Sequence, residues 1–166
     1  VGADGSSVFA PGWTALTRFL AEIGGSVSAD GSPDVLVGVL RGGMIPAVQL
    51  AHLLGVRIVR ALEVTHTRAD GINSPKMPRP VVANEGSLGD VSGMDVLIID
   101  DVVGSGLTID ACRDLVAGAR PARLRAAALT VNAVNWQMSH EAEPREELDY
   151  IGHVYQGWVI FPWELQ

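Results

Sequence analysis

The run VLIIDDVVGSGLT, from Val96 to Thr108, constrains the fold more than any other stretch of the chain. Val96, Leu97, Ile98 and Ile99 form a short, wholly apolar run, the pattern of a strand buried on both faces. Two adjacent carboxylates, Asp100 and Asp101, come next. A turn of small and hydroxyl residues then opens LTIDACRDLVAG, where Leu107, Ala111 and Leu115 are expected to form the inner face of a helix. Strand, tight turn and helix in that order describe one unit of a mostly parallel α/β sheet.

The rest of the chain fits the same architecture. WTALTRFLAEI (Trp13 to Ile23) reads as an amphipathic helix with Leu16, Phe19, Leu20 and Ile23 on one face. DVLVGVL (Asp34 to Leu40) reads as a second buried strand. After the RGG turn comes MIPAVQLAHLLG, where Ala47, Leu50, Ala51 and Leu54 fall at helical spacing and Gly55 can end the helix. RIVRALEV (Arg57 to Val64) and RLRAAALTV (Arg123 to Val131) are further strands, and the tail DYIGHVYQGWVIFPWELQ mixes short apolar segments with aromatic rings. Residues 66–91 are polar, rich in Pro and Gly and without period, which predicts a long loop able to act as a lid. One α/β domain over 1–166 is expected. Ligands of such sheets bind beyond the carboxyl ends of the strands. The acid pair and Arg41–Gly43 both stand there, so the two turns are expected to face one site.

Composition narrows the function. The 166 residues carry a net charge of −7, against a nucleic-acid-binding surface, which would need a basic patch. That charge does not exclude a small anion, because a few backbone amides and a metal ion can reverse the local field. The longest apolar runs are too short to span a bilayer, and the N-terminal stretch lacks the basic-then-apolar order of a signal peptide. A single cysteine, Cys112, fits a reducing cytoplasm and a buried, inert thiol. The four histidines, His52, His66, His140 and His153, show no metal-ligand spacing.

An apolar strand ending in two acids also describes the Mg²⁺-binding strand of a P-loop nucleotidase. That requires a GxxxxGK[ST] loop, and the only lysine, Lys76, sits in SPKMP. A plainer alternative is that the acids merely end a strand and Ser105 caps a helix. The full order favours a ligand. Free amides and hydroxyls at a helix N-terminus cradle phosphate, while two carboxylates just upstream suit vicinal hydroxyls or a metal held by them. A ligand carrying both groups at this separation is a sugar phosphate.

VLIIDDVVGSGLT resembles the phosphoribosyl pyrophosphate (PRPP) motif of type I phosphoribosyltransferases, and the chain from Trp13 onward is most similar to the bacterial xanthine–guanine and hypoxanthine group. The resemblance implies the family's α/β fold, Mg²⁺, PRPP and a purine-like base as partners, and a homodimer or homotetramer. Asp100 and Asp101 would hold the ribose hydroxyls directly or through Mg²⁺, with Arg41 completing the catalytic set. The backbone from Val103 through Gly104, Ser105, Gly106, Leu107 and Thr108, with the two hydroxyls, would hold the 5′-phosphate. GVLRGGMIPA resembles the pyrophosphate loop, placing Arg41, Gly42 and Gly43 on the leaving group, with a non-proline cis peptide expected at Arg41–Gly42. Residues 66–91 correspond to the family's mobile hood, from which Arg68, Lys76 and Arg79 could meet pyrophosphate. WVIFPWE resembles the base-binding tail of 150–166: Trp158 would stack on the base, Val159 offer its backbone, and Glu164 supply a nearby acid.

Two positions depart from the pattern. Many 6-oxopurine enzymes have Asp where this chain has Gly104, and a Lys where Asn132 stands in LTVNAVNWQ. The resemblance therefore implies PRPP-dependent transfer, with a non-standard acceptor such as a 7-deazapurine or pterin-like precursor as one expectation. Ordinary xanthine, guanine or hypoxanthine salvage, and a PRPP-sensing regulator, are the alternatives.

Overall fold

The computed structural model describes residues 8–67 and 76–164. In chain order the elements are β1 (Val8–Phe9), α1 (Trp13–Asp30), β2 (Val35–Leu40), α2 (Met44–Leu54), β3 (Ile58–Thr67) and β4 (Lys76–Val82). A 3-10 turn (Glu85–Leu88) leads to β5 (Asp95–Val103), α3 (Leu107–Gly118), β6 (Arg123–Asn132), α4 (Ala133–Gln137), α5 (Pro144–Glu147), β7 (Tyr150–Tyr155) and β8 (Trp158–Val159).

Six strands form one sheet in the order β4-β3-β2-β5-β6-β7, parallel throughout except for the β3–β4 pair. Alternation along the buried strands sends side chains to two faces. Leu36, Leu97, Ile99, Ala127 and Leu129 pack against Leu16, Phe19, Leu20 and Ile23 of α1 and against Ala47 and Leu50 of α2. Val35, Val37, Val39, Val96 and Ile98 pack with Ile109, Cys112 and Val116 of α3 and with Trp136. The sheet is thus covered on both sides, as a parallel sheet requires. A separate two-stranded sheet joins β1 to β8 and carries the C-terminal tail.

Helix α1 runs through Gly24–Gly25 to Asp30, past the expected Ile23. Its buried stripe continues at Val27, and Gly24 lets Leu50 of α2 approach. Helix α2 ends at Gly55, in the left-handed conformation with φ 69°. The inner face of α3 is corrected: Ile109, Cys112 and Val116 are its buried residues, while Leu107 is exposed. These three fall at i, i+3 and i+7, a helical stripe one position round from the expected one, and Leu115 packs at its edge.

The segment 66–91 is not one long loop. Strand β3 runs on to Thr67, β4 pairs with it, and Leu88 and Val91 are buried. Pro78 and Pro80 hid the second strand, because proline argues against a central strand; β4 lies at the sheet edge, where a missing N–H is tolerated. Among the described residues no helix is long and apolar enough to cross a membrane.

Candidate active site

Strands β2 and β5 are neighbours in register, Gly38 opposite Ile99, so the turns that follow them emerge side by side. They touch. A side chain at Gly43 would meet the carbonyl oxygens of Val39 and Ile99 at 2.6 and 2.8 Å and the Asp100 Cα at 2.9 Å. One at Gly42 would place its Cβ 1.7 Å from Asp101 Oδ2. Glycine is required at Gly43, which backbone closes on three sides, and at Gly42 a side chain would have to displace the Asp101 carboxylate, because the RGG backbone lies directly on the acid pair. Leu40–Arg41 is in the cis form, one bond earlier than expected. Arg41 is exposed at the start of this turn.

Strand β5 continues through both acids to Val103, since Val102 and Val103 stay paired with Thr130 and Val131 of β6. Asp100 is therefore only 7 % exposed. Its Oδ1 accepts the Asp101 N–H at 2.9 Å, and Asp101 Oδ1 accepts the Val102 N–H at 2.8 Å. Thr130 Oγ1 donates to the Asp101 carbonyl at 2.9 Å, fixing the backbone between the acids and β6. Burial, with the neighbouring Asp101 charge, holds the Asp100 carboxyl well above the ordinary range. Burial likewise pushes Asp101 up to about 6, against hydrogen bonds that favour its charged form. Two carboxylates withdrawn from water beside a glycine turn are poised to take up a hydroxyl pair or a cation.

Ser105 does not cap α3. Gly106 stands at the cap with φ 74°, and among the described residues no side-chain cap is made there. The first-turn N–H groups are left for an anion, with the Ser105 and Thr108 residues half-buried beside them. The turn is held from behind by His140, whose Nε2 lies 3.0 Å from the Ser105 carbonyl and whose Nδ1 lies 3.2 Å from Glu147 Oε1. Neither His140 nor Asn135 stood out in the sequence. Asn135 Nδ2 would be 3.3 Å from a Cβ at Gly104, and no residue between 104 and 135 signals that meeting. For His140 the one trace is its spacing of four from Trp136, on which the ring stacks at 4.0 Å.

The residues expected on the base side come together less tightly. Asn132 is buried at the end of β6, and its Oδ1 accepts the Asn135 N–H at 3.2 Å to cap α4. Only oxygen can accept that N–H, so the other end of the amide, a donor, is the one left for a ligand. Trp158 is half-buried and makes no ring–ring contact among the described residues. Val159 is buried on β8, which pairs with β1 alone, leaving its other backbone edge open among the described residues. Glu164 Oε2 accepts the Phe161 N–H at 2.9 Å, and its charge lies near enough to raise Asp101. Trp163 belongs to the core, stacked on Phe161 at 4.5 Å. Arg68 lies outside the described residues, as do the side chains of Lys76 and Arg79. Cys112 is buried, its thiol pushed up to about 12 by burial, and inert.

A family model for the phosphoribosyl transferase domain matches residues 11–166. The chain belongs to the phosphoribosyltransferase family. This phosphoribosyltransferase is 33% identical over 132 residues to a xanthine-guanine phosphoribosyltransferase of Gluconobacter oxydans, covering 78% of this chain and 67% of the relative. It is 28% identical over 139 residues to the enzyme of the same name from a Ruegeria species, covering 82% and 71%. Its fold superposes on a purine phosphoribosyltransferase of Pyrococcus horikoshii with a TM-score of 0.77 at 26% identity, over 96% of this chain and 95% of that one. The phosphoribosyltransferase fold accounts for both strand-to-helix turns meeting at the acids.

Proposed function

We propose that the protein transfers the 5-phosphoribosyl group of PRPP to a ring nitrogen of a 6-oxopurine, releasing pyrophosphate. The observation that carries this reading is the contact of the Gly42–Gly43 backbone with Asp100 and Asp101 beside the uncapped amides of α3. In it the amides of Gly104 to Thr108 and the hydroxyls of Ser105 and Thr108 bind the 5′-phosphate. Asp100 and Asp101 orient the ribose hydroxyls. Arg41, with the backbone of Gly42 and Gly43, receives the pyrophosphate.

In the reaction the base nitrogen forms its bond to C1 as the C1–O bond to pyrophosphate breaks, and the proton that the base gives up passes to solvent. The bonding pair leaves on the pyrophosphate oxygen. Charge grows on the leaving group and is met by Arg41 and preorganised amides. The protein aligns the two reactants and keeps water from the activated sugar.

The acid pair fits Mg²⁺. No group of three or more acidic, His or Cys ligands exists among the described residues. Such a pair suits a cation that draws its other ligands from the substrate and water. When bound, the ion supplies positive charge against the phosphates. Asp100 and Asp101 would hold it, deprotonating as they do so.

On the base side, Trp158 offers a stacking face, Val159 a backbone edge, and Asn132 a donor suited to a carbonyl rather than an amine. That donor, with relatives named for xanthine and guanine, favours ordinary 6-oxopurine salvage. Gly104 favours a second reading, because without an acid there a 7-deazapurine or pterin-like base loses nothing at that position. Incubating the protein with Mg²⁺-PRPP and xanthine, guanine, hypoxanthine, adenine and 7-deazaguanine, and identifying products by mass, separates the two. The proposal expects nucleotide from xanthine or guanine and none from adenine. Product from 7-deazaguanine alone would replace it with the second reading, and PRPP binding with no product from any base would mark a sensor.

A further inference from the structure

The phosphate turn is braced by a side chain that reaches it from 35 residues away in sequence. His140 follows α4, its ring lies flat on Trp136 with 11° between the planes, and Trp136 is itself anchored by its Nε1 donating to the Ala142 carbonyl at 2.8 Å. One ring nitrogen meets the Ser105 carbonyl, and the other meets Glu147. Glu147 sits at the end of α5, and Arg113 of α3 donates to its backbone carbonyl. The charged groups around the ring are Glu147 from α5 and Asp110 with Arg113 from α3, the last two 3.7 Å apart.

We propose that His140 is a positioning residue for the phosphate turn, holding the Ser105 carbonyl back so that the next amide faces the sugar phosphate. The proposal rests on the assignment of the 104–108 turn to the 5′-phosphate. A trans peptide is planar, so the Ser105 C=O and the Gly106 N–H of the same unit point in opposite directions. Capturing the carbonyl on the His140 side therefore turns the Gly106 N–H the other way. An uncaptured carbonyl could rotate toward the anion and repel it. Gly106 is explained by the same contact. Its φ of 74° favours glycine, and a Cβ there would come 2.9 Å from His140 Nε2, displacing the ring.

The Ser105 carbonyl can only accept, so Nε2 is the donor toward it, while the contact of Nδ1 with Glu147 fixes the plane of the ring. Neither His140 nor Glu147 touches the substrate.

The test uses the full chain with Asn or Gln and Ala in place of the ring. His140→Ala should raise the KM for PRPP, and weaken ribose 5-phosphate in calorimetry, by about tenfold, the worth of one hydrogen bond. At saturating PRPP its kcat should stay within about threefold, since lost ground-state binding falls on KM. His140→Gln, whose amide can still donate to the Ser105 carbonyl, should recover most of the affinity. Glu147→Gln should fall between. Circular dichroism melts establish that each variant is folded. A folded His140→Ala with unchanged affinity for ribose 5-phosphate overturns the inference and leaves the function standing. So does an equal loss in His140→Gln and His140→Ala, which would mark a packing role. Wild-type protein that binds ribose 5-phosphate through this brace but forms no nucleotide would overturn the proposed reaction and support the inference. Wild-type protein that binds neither ribose 5-phosphate nor PRPP overturns both.

Discussion

The turn at Arg41–Gly43 is backbone pressed against the acid pair at the ends of two central strands, whereas the residues proposed for the base are single side chains from the end of β6 and from a two-stranded tail. In the first region neither Gly42 nor Gly43 can gain one carbon without meeting a carbonyl or a carboxylate. In the second, Asn132 and Glu164 each make a structural bond beside the role proposed for them, and Trp158 is half-buried with no ring stacked on it among the described residues. A sugar phosphate is the same in every enzyme that uses it, so backbone geometry can hold it permanently. The acceptor varies, and side chains on a light tail can vary with it without disturbing the sheet.

The largest effect should come from breaking the contact of the Gly42–Gly43 backbone with the acid pair. Gly42→Ala drives a methyl into Asp101 and should lower kcat/KM for PRPP by more than about a hundredfold in a protein that still folds, because the carboxylate end can swing away. Gly43→Ala, which meets backbone on three sides, should fail to fold or melt far lower. Thermal melts beside steady-state kinetics tell the two apart, and equal behaviour of both variants would show that this turn is not locked onto the acid pair.

Asp101→Asn should lose a similar factor in activity yet gain stability. Its folded value of about 6 exceeds the ordinary 3.8, so the folded state holds the proton more tightly than the unfolded chain. The stabilisation from that proton is full below the unfolded value and is lost as pH rises through the folded one. The asparagine escapes that loss. Its melting temperature should therefore exceed the wild type's above pH 6 by the equivalent of about 1–3 kcal/mol, with no gain near pH 3. A variant that melts lower at every pH would show that the acids serve the fold.

On the base side the effects shrink. Trp158→Ala should raise the KM for the base by about 10- to 100-fold, the worth of one stacked ring, leaving the KM for PRPP unchanged. A matching rise in both constants would place the indole in the fold rather than against the base. Smallest is Gly104→Asp. The new Cβ lies 3.3 Å from the Asn135 amide, which is half-exposed and can give way. Guanine turnover should change by about three- to tenfold, and turnover of a base lacking the ring nitrogen should not rise; a hundredfold change would show that the Gly104 edge of the phosphate turn is rigid against Asn135.

The same contrast explains what could be read from the sequence. The sugar half is contiguous: an apolar strand, two acids and a small-residue turn are legible because local chemistry forces them together. The parallel sheet followed from strand–helix alternation for the same reason. What stayed hidden depends on tertiary meetings. The facing of α3 went to Ile109, Cys112 and Val116, a stripe at i, i+3 and i+7 that competes with Leu107, Ala111 and Leu115 on the same helix, and only the packing decides between them. Prolines concealed β4 because nothing local says that a strand will lie at an edge. His140 and Asn135 carry no motif, since their partners Ser105 and Gly104 arrive only through the order of strands in the sheet.

The central claim is that the two turns make one site for a phosphorylated ribose. A crystal structure of the protein with Mg²⁺ and PRPP tests it most directly. The account predicts the 5′-phosphate on the amides of Gly104 to Thr108, the ribose hydroxyls toward Asp100 and Asp101, and the pyrophosphate against Arg41 to Gly43. A 5′-phosphate bound anywhere else, or a ribose turned away from the acid pair, would contradict it.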